Sequence, residues 1–208
     1  MKIVNASYEI TDCPDGQSAL RKIERIGRVC WKSEDRITET SNLVFVESLI
    51  HKGHESVLEH VSITVEFVCD RGVSHELVRH RLASFTQEST RYCNYANGKF
   101  NGELTFIKPC FWNDAGKNYE DWKKAVDSIE QTYMRLIALG CKPEQARSVL
   151  PNSLATRIVM TANLREWRHV LKLRTAPAAH PQMRELMVPL LRDLQLRIPV
   201  VFDDVGVK

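Results

Sequence analysis

Arg79-His80-Arg81-Leu82-Ala83-Ser84-Phe85-Thr86-Gln87-Glu88-Ser89-Thr90-Arg91-Tyr92 is the stretch on which the reading of this chain turns. It gathers three arginines, a histidine and several hydroxyl side chains. Guanidinium groups stay charged and present a planar fork of donors, so several together suit phosphate or another oxyanion. The nearby Ser, Thr, Gln and Glu can hydrogen-bond sugar hydroxyls and base edges. The spacing is Arg-His-Arg, seven residues, then Ser, closing on Ser89-Thr90-Arg91-Tyr92.

Around this stretch the local pattern is readable. Residues 61–69 alternate, with Val61, Ile63, Val65, Phe67 and Cys69 on one face, which predicts a half-buried strand. Asp70-Arg71-Gly72 reads as a turn, and Ser74 as the cap of a short helix to about Leu82, with Leu77, Val78 and Leu82 inward. On such a helix successive residues sit about 100° apart, so Arg79, His80 and Arg81 face different ways and can serve two ligands. Ser84 to Tyr95 is expected to be extended or irregular, with Phe85 and Tyr92 anchored in the core.

Composition bounds the class. The 208 residues are enough for one domain with a substantial core. Hydrophobic content of 43% and charged content of 26% are those of a soluble globular protein. A net charge of +3 is too small to imply a nucleic-acid partner, and no aromatic stacking module accompanies the arginines. Arg79, Arg81 and Arg91 cluster, as do Arg147, Arg157, Arg165, Arg168 and Arg174, which suits a small anionic ligand better than a long polyanion. The beginning does not read as a signal peptide, and no apolar run approaches the roughly 20 residues of a membrane span. Six scattered cysteines without a Cys-x-x-Cys pair read as free thiols in a reducing cytoplasm, and zinc-ligand spacing is absent.

The remaining elements are set by periodicity. Residues 2–10 read as one strand, and a helix begins near Ser18 with Leu20, Ile23, Ile26, Val29 and Cys30 on its apolar side, Trp31 joining the core. Thr40 or Ser41 caps a second helix that Gly53 stops. Leu104–Ile107 reads as a short strand, Tyr119 to about Gly140 as a long amphipathic helix, and Lys142–Leu150 as a further helical turn carrying Arg147. Leu154–Ala162 reads as a strand with Ile158 and Met160 on one side. A helix from about Asn163 to Arg174 places Arg165 one turn from His169. The last helix runs from about Pro181 to Arg197, kinked at Pro189, and Ile198–Val201 ends the chain in extended form. No repeat, low-complexity stretch or linker interrupts the chain, so one mixed α and β domain over 1–208 is expected.

A second stretch, His51-Lys52-Gly53-His54-Glu55-Ser56-Val57-Leu58-Glu59-His60, looks like a metal site at first sight. It lacks the His-Glu-x-x-His spacing, and Gly53 separates His51 from the later histidines, so no metal is expected. Cys110 comes after Pro109 but precedes Phe111, where the classical cysteine-nucleophile thymidylate synthases carry His, and it reads as structural.

Together, the Arg-His-Arg…Ser stretch, the Gly-His-Glu-Ser…Glu-His stretch and Asn163–Arg174 resemble the flavin-dependent thymidylate synthases, from roughly residue 40 to residue 195. The resemblance implies an α/β fold of the α+β type, with a central, mostly antiparallel sheet flanked by helices. It also implies a homotetramer with active sites at subunit interfaces. The implied reaction is reductive methylation of dUMP to dTMP, with methylenetetrahydrofolate as one-carbon donor, bound FAD and NADPH as reductant. It implies a dUMP set of Glu76, Arg79, Gln87, Ser89, Arg91, Arg147 and Arg174, with Arg174 activating the uracil and Arg147 reaching a neighbour's site. The implied FAD set is His54, Ser56, Arg79, His80, Arg81, Gln87, Asn163, Arg165 and His169, His54 lying near the ring. Glu76 stands where the family often has Gln, and Gln87 where it often has Glu, an exchange that can conserve local charge. A same-fold enzyme acting on UMP, an RNA-binding protein and a flavin-binding relative without catalysis are the rival readings.

Overall fold

Two long strands organise the fold. β3 (Ser62–Asp70) and β6 (Ala155–Asn163) are neighbours in a four-stranded sheet of order β2-β3-β6-β4, with β2 at Ser7–Asp12 and β4 at Ala83–Gln87. The Thr64 and Thr161 hydroxyls meet at 2.9 Å, and Leu164 N–H donates to the Val61 carbonyl at 2.9 Å. One number rises by three where the other falls by three, so the pair is antiparallel. Alternation holds on both strands: Ile63, Val65, Phe67 and Cys69, and Thr156, Ile158, Met160 and Ala162, are buried. The computed structural model describes residues 1–206, so the last two positions of the expected 1–208 domain lie outside the described residues.

The chain forms two compact units, and β3, β4 and β6 pass from one to the other along their length. The first unit comprises residues 1–7, 67–79 and 85–159. Within it, β1 (Lys2–Val4) pairs in parallel with β5 (Thr105–Ile107). Its core includes Tyr95, Leu104, Phe106, Val126, Tyr133 and Leu154, under the long helix α4 (Lys117–Ala138). Pro143 opens the single-turn helix α5 (Pro143–Ala146), and Arg147–Val149 continues it as a 3-10 turn. The short helix α3 (Arg71–Leu77) starts where β3 ends.

The second unit comprises residues 8–66, 80–84 and 160 onward. Helix α1 (Gly16–Val29) packs on α2 (Ser41–His51), and α6 (Leu164–Arg174) packs on α7 (Pro181–Arg197) and on the 3-10 turn Glu55–His60. Gly16 is dictated by space: a Cβ there would collide with the Arg197 carbonyl oxygen, a backbone atom. No described helix is long and apolar enough to cross a membrane.

Several expectations are corrected. The strand expected over 2–10 divides into β1 and β2, which join different sheets. Asp70, not Ser74, caps α3, accepting from Val73 N–H at 2.8 Å, and the helix runs from Arg71 to Leu77. Arg79, His80 and Arg81 therefore lie in the turn beyond it, and Val78 and Leu82 are exposed. Residues 83–87 are a regular strand; Tyr95 is the buried aromatic there, and Tyr92 is 76% exposed. Trp31 is also on the surface, 56% exposed. Thr40 occupies the cap position of α2 without a side-chain bond to it, and Asn163 caps α6 from outside. The chain beyond Ile198 turns instead of extending, with Val200 at φ 73° and Val201, Phe202 and Val205 buried. None of the six cysteines is in a disulfide, and Cys110 is exposed.

Arg168 pins this last turn. The buried guanidinium donates to Glu55 Oε1 at 2.9 Å, to both Asp204 carboxylate oxygens at 2.5 and 2.7 Å, and to the Val201 carbonyl. Burial works against the charge, but the two carboxylates outweigh it and hold the Arg168 pKa above its ordinary value. The Arg168 hydrogen bond lowers that of Asp204. Arg168→Met is expected to cost about 2 kcal/mol, the loss of charged hydrogen bonds discounted for half-exposed Asp204. The Asp204 share is present above the ordinary value of 3.8 and is lost as pH falls through the lower folded value. Denaturation midpoints measured against pH check both points: the variant should be less stable near neutrality and lose less on acidification.

Candidate active site

In the second unit the capping of α6 builds the site. Asn163 Oδ1 accepts from Glu166 N–H at 2.9 Å, and the helix then presents Arg165, His169 and Lys172 at one-turn spacings. These residues line a cavity of about 790 Å³ with Glu59, Leu82 and Val205. Arg165, exposed, donates to Glu59 at 2.6 Å, and this hydrogen bond raises its pKa. Arg81 and Ser84 line an adjoining cleft of about 410 Å³ together with Asn163. His54 and Ser56 are exposed at the start of the 3-10 turn, where Gly53, at φ 71°, reverses the chain after α2.

His80 is the one buried member of the Arg-His-Arg triplet. Its Nε2 accepts from Arg174 Nε at 3.0 Å, and its Nδ1 stands 3.6 Å from Glu166. Burial, with Arg174 and His169 nearby, pushes its pKa down to about 4. The imidazole is therefore neutral at pH 7, with its proton on Nδ1 because Nε2 is accepting. Burial also raises the pKa of Glu166. The His80 and His169 rings meet edge-on, 5.7 Å apart.

His80, Glu166 and His169 bring potential ligand atoms within 4.8 Å of one another, the geometry of a possible cation site. The Arg174 guanidinium on His80 already supplies positive charge, and the Nδ1 proton blocks the ring's other nitrogen.

In the first unit the second half of the motif is held by a mixture of neutral and charge-assisted hydrogen bonds. Gln87 Nε2 donates to Ser74 Oγ at 2.9 Å and to Thr156 Oγ1 at 3.2 Å, which fixes its amide orientation. Glu88 accepts from the Tyr95 hydroxyl at 2.6 Å. Ser89 Oγ accepts from Arg91 N–H at 3.3 Å, and Arg91 Nε donates to Glu144 at 3.2 Å. Arg147, 57 residues from Thr90, contacts its hydroxyl at 3.5 Å, so the fold brings Arg147 beside the motif of its own chain. Glu76 and Arg79 sit at and just beyond the end of α3, Glu76 half-buried and Arg79 exposed.

The expected set thus divides. Glu76, Arg79, Gln87, Ser89, Arg91 and Arg147 belong to the first unit. His54, Ser56, His80, Arg81, Asn163, Arg165, His169 and Arg174 belong to the second. The sequence reading missed Glu166, Lys172 and Thr156. Lys172 could have been found from its spacing to Arg165 and His169; Thr156 had no local signal, since only strand pairing brings it to Gln87.

The comparisons with known proteins agree with this architecture. Residues 15–200 match the family model described as thymidylate synthase complementing protein. A flavin-dependent thymidylate synthase of Pyrococcus furiosus is 36% identical over 80% of this chain and 69% of its own length. One of Corynebacterium aurimucosum is 35% identical over 95% of this chain and 83% of its own. Among solved structures, a UMP/dUMP methylase PolB from Streptomyces cacaoi, bound with 5-Br dUMP, superposes with a TM-score of 0.80 at 24% identity. It aligns over 98% of this chain and 96% of that one, a likeness of fold. A match over nearly the whole chain, at this identity and with this fold, means that the chain is an enzyme of the flavin-dependent thymidylate synthase family.

Proposed function

We propose that this protein methylates dUMP to dTMP reductively, with methylenetetrahydrofolate as carbon donor, FAD as bound cofactor and NADPH as reductant. The observation that carries the reading is the Arg174–His80 pair. C5 of uracil is a weak nucleophile, strengthened when negative charge on the ring, formed as N3 loses its proton, is stabilised. A guanidinium near O2 or O4 supplies that stabilisation if it is held in place beforehand. Neutral His80 orients Arg174 through Nε without cancelling its charge. No enzyme nucleophile is then required: Cys110 is exposed on a turn, and the Ser89 hydroxyl is engaged by Arg91 N–H.

The flavin, when bound, supplies the redox chemistry. The cavity on α6 fits such a group: Arg165, His169 and Lys172 offer charge and donors to a pyrophosphate, and Leu82 and Val205 an apolar wall. Arg165 would exchange Glu59 for phosphate, an exposed pair that is cheap to break. Asn163, Ser56, Arg79, Arg81 and Gln87 complete the cofactor set, with His54 beside the ring. Glu76, Arg79, Gln87, Ser89, Arg91 and Arg147 hold the nucleotide, Gln87 with its amide preset by Ser74 and Thr156. The reading includes one functional domain over the whole chain, a cytoplasmic homotetramer, and sites at subunit interfaces to which Arg147 is lent by a neighbour together with the Thr90 segment it touches. It includes no resident metal and no nucleic-acid or membrane partner.

An anaerobic single turnover tests the reaction. Reduced, FAD-loaded protein given methylenetetrahydrofolate is expected to form product from dUMP and none from UMP; product from UMP alone would move the protein to the other nucleotide. Arg147→Ala and Arg174→Ala proteins, each expected to be inactive, should recover activity on mixing and subunit exchange. Silence despite exchange demonstrated by mass-tagged subunits would rule out shared sites.

The neutral state of His80 has its own test. A titration of the imidazole by NMR is expected to show a midpoint near 4; one near the ordinary 6.5 would mean that burial and Arg174 do not disfavour the charged ring. The unfolded chain takes this proton first, so His80 weakens the fold as pH falls from 6.5 toward 4.

A further inference from the structure

Glu166 holds a buried carboxylate that the chemistry at Arg174 does not use directly. It sits in the first turn of α6, two residues after Leu164, where the positive end of the helix dipole favours an acid. That explains the acid but not its burial, because taking a carboxylate out of water without a partner is costly. Among the described residues no Lys or Arg pairs with it. It faces two imidazoles instead. His80 Nδ1 is 3.6 Å from Oε1, and His169 is near enough to oppose the rise that burial brings to the Glu166 pKa.

His80 has the complementary need. Its Nε2 accepts from Arg174, so its proton is on Nδ1, in a side chain only 4% exposed. Buried N–H groups are satisfied as a rule, and Glu166 is the carboxylate that faces this one. Closing the gap by about 0.7 Å gives a hydrogen bond of ordinary length, and hydrogen bonds that orient reacting groups commonly shorten when substrate is held. Glu166 and Arg174 belong to one helix and are eight residues apart, about 12 Å along its axis. His80 comes from the turn after α3 and stands between them, Nδ1 toward the first and Nε2 toward the second.

We propose that Glu166 is a positioning residue of the reaction: it accepts a hydrogen bond from His80 Nδ1 and so fixes the ring that aims Arg174 at the uracil. This rests on the proposed function, which gives Arg174 the uracil to activate. Glu166 acts through His80, whose ring keeps one orientation while both nitrogens are engaged. Held at Nε2 alone, the ring is free to turn about Cβ–Cγ and to carry Arg174 out of line.

Three variants separate an acceptor from a charge. Glu166→Gln removes the charge and keeps an acceptor oxygen, whereas Glu166→Leu and Glu166→Ala remove both. In FAD-loaded protein the Leu and Ala variants are each expected to lower kcat for dUMP about tenfold or more, the usual loss when an orienting partner goes, with the Kd for dUMP unchanged. Glu166→Gln should restore most of kcat. The His80 Nδ1–H resonance, followed with isotope-labelled histidine and dUMP bound, gives a readout that needs no turnover. It should exchange slowly with solvent in the wild type and in Glu166→Gln, and be lost to exchange in the other two. One replacement fills the site and the other empties it, so a folding defect in either does not imitate the result. A lowered denaturation midpoint in all three variants with normal kcat would mean a helix-start charge and nothing more, and overturns the proposal. Equal loss of kcat in all three with the resonance unchanged overturns it too, since charge and not an acceptor would then be required. In both cases a wild type that makes dTMP keeps the proposed function. A wild type that shows the resonance but does not methylate dUMP removes the proposed function, and the positioning role with it.

Discussion

The antiparallel pairing of β3 with β6 is the constraint on which the rest depends. Ile63, Val65, Phe67 and Cys69 on one strand and Ile158, Met160 and Ala162 on the other face the core, and a one-residue slip would turn each set toward the opposite face. Trp167 reinforces the register from α6, its indole N–H donating to the Ile63 carbonyl at 3.0 Å. Each strand feeds a helix through the same device. Asp70 and Asn163 accept from the N–H three residues on, at 2.8 and 2.9 Å, and so fix where α3 and α6 begin. The Arg-His-Arg turn comes after the first helix, and Glu166, His169 and Arg174 ride on the second.

Charge is then divided by type of partner. Arg28 and Arg168 are buried and matched to carboxylates, Glu24 in one case and Glu55 with Asp204 in the other, and they hold helices and the last turn in place. Arg165 has an exposed carboxylate that water already screens, so its charge is readily transferred to a ligand. Arg174 is steered by an imidazole that burial keeps neutral. Arg165, Arg168 and Arg174, all on α6, thus have three fates, decided by what faces each and how wet it is.

Much of the fold was legible because periodicity is local. The alternation of 61–69 announced β3, the apolar stripe of 181–197 announced α7 to the residue, and Gly53 marked the end of α2. The misreadings occurred where two local signals compete. Asp70-Arg71-Gly72 looked like a turn, yet Asp70 captures Val73 N–H and starts the helix earlier; the helix stops at Leu77, which leaves Arg79–Arg81 outside it. Trp31 and Tyr92 were assigned to the core on size alone, whereas exposure depends on what packs over a position. Thr156 and Glu166 entered the site through strand pairing and helix packing, which leave no mark in the neighbouring sequence.

By itself the sequence determined the family, the principal strands and helices, and the residue types that carry the chemistry, because these rest on spacing along one chain. Only the tertiary structure decided that His80 is neutral and holds Arg174, and that Arg147 meets Thr90 across 57 residues. The reason is physical: protonation, ion pairing and exposure are properties of an environment, and that environment is assembled from segments the chain brings together only on folding.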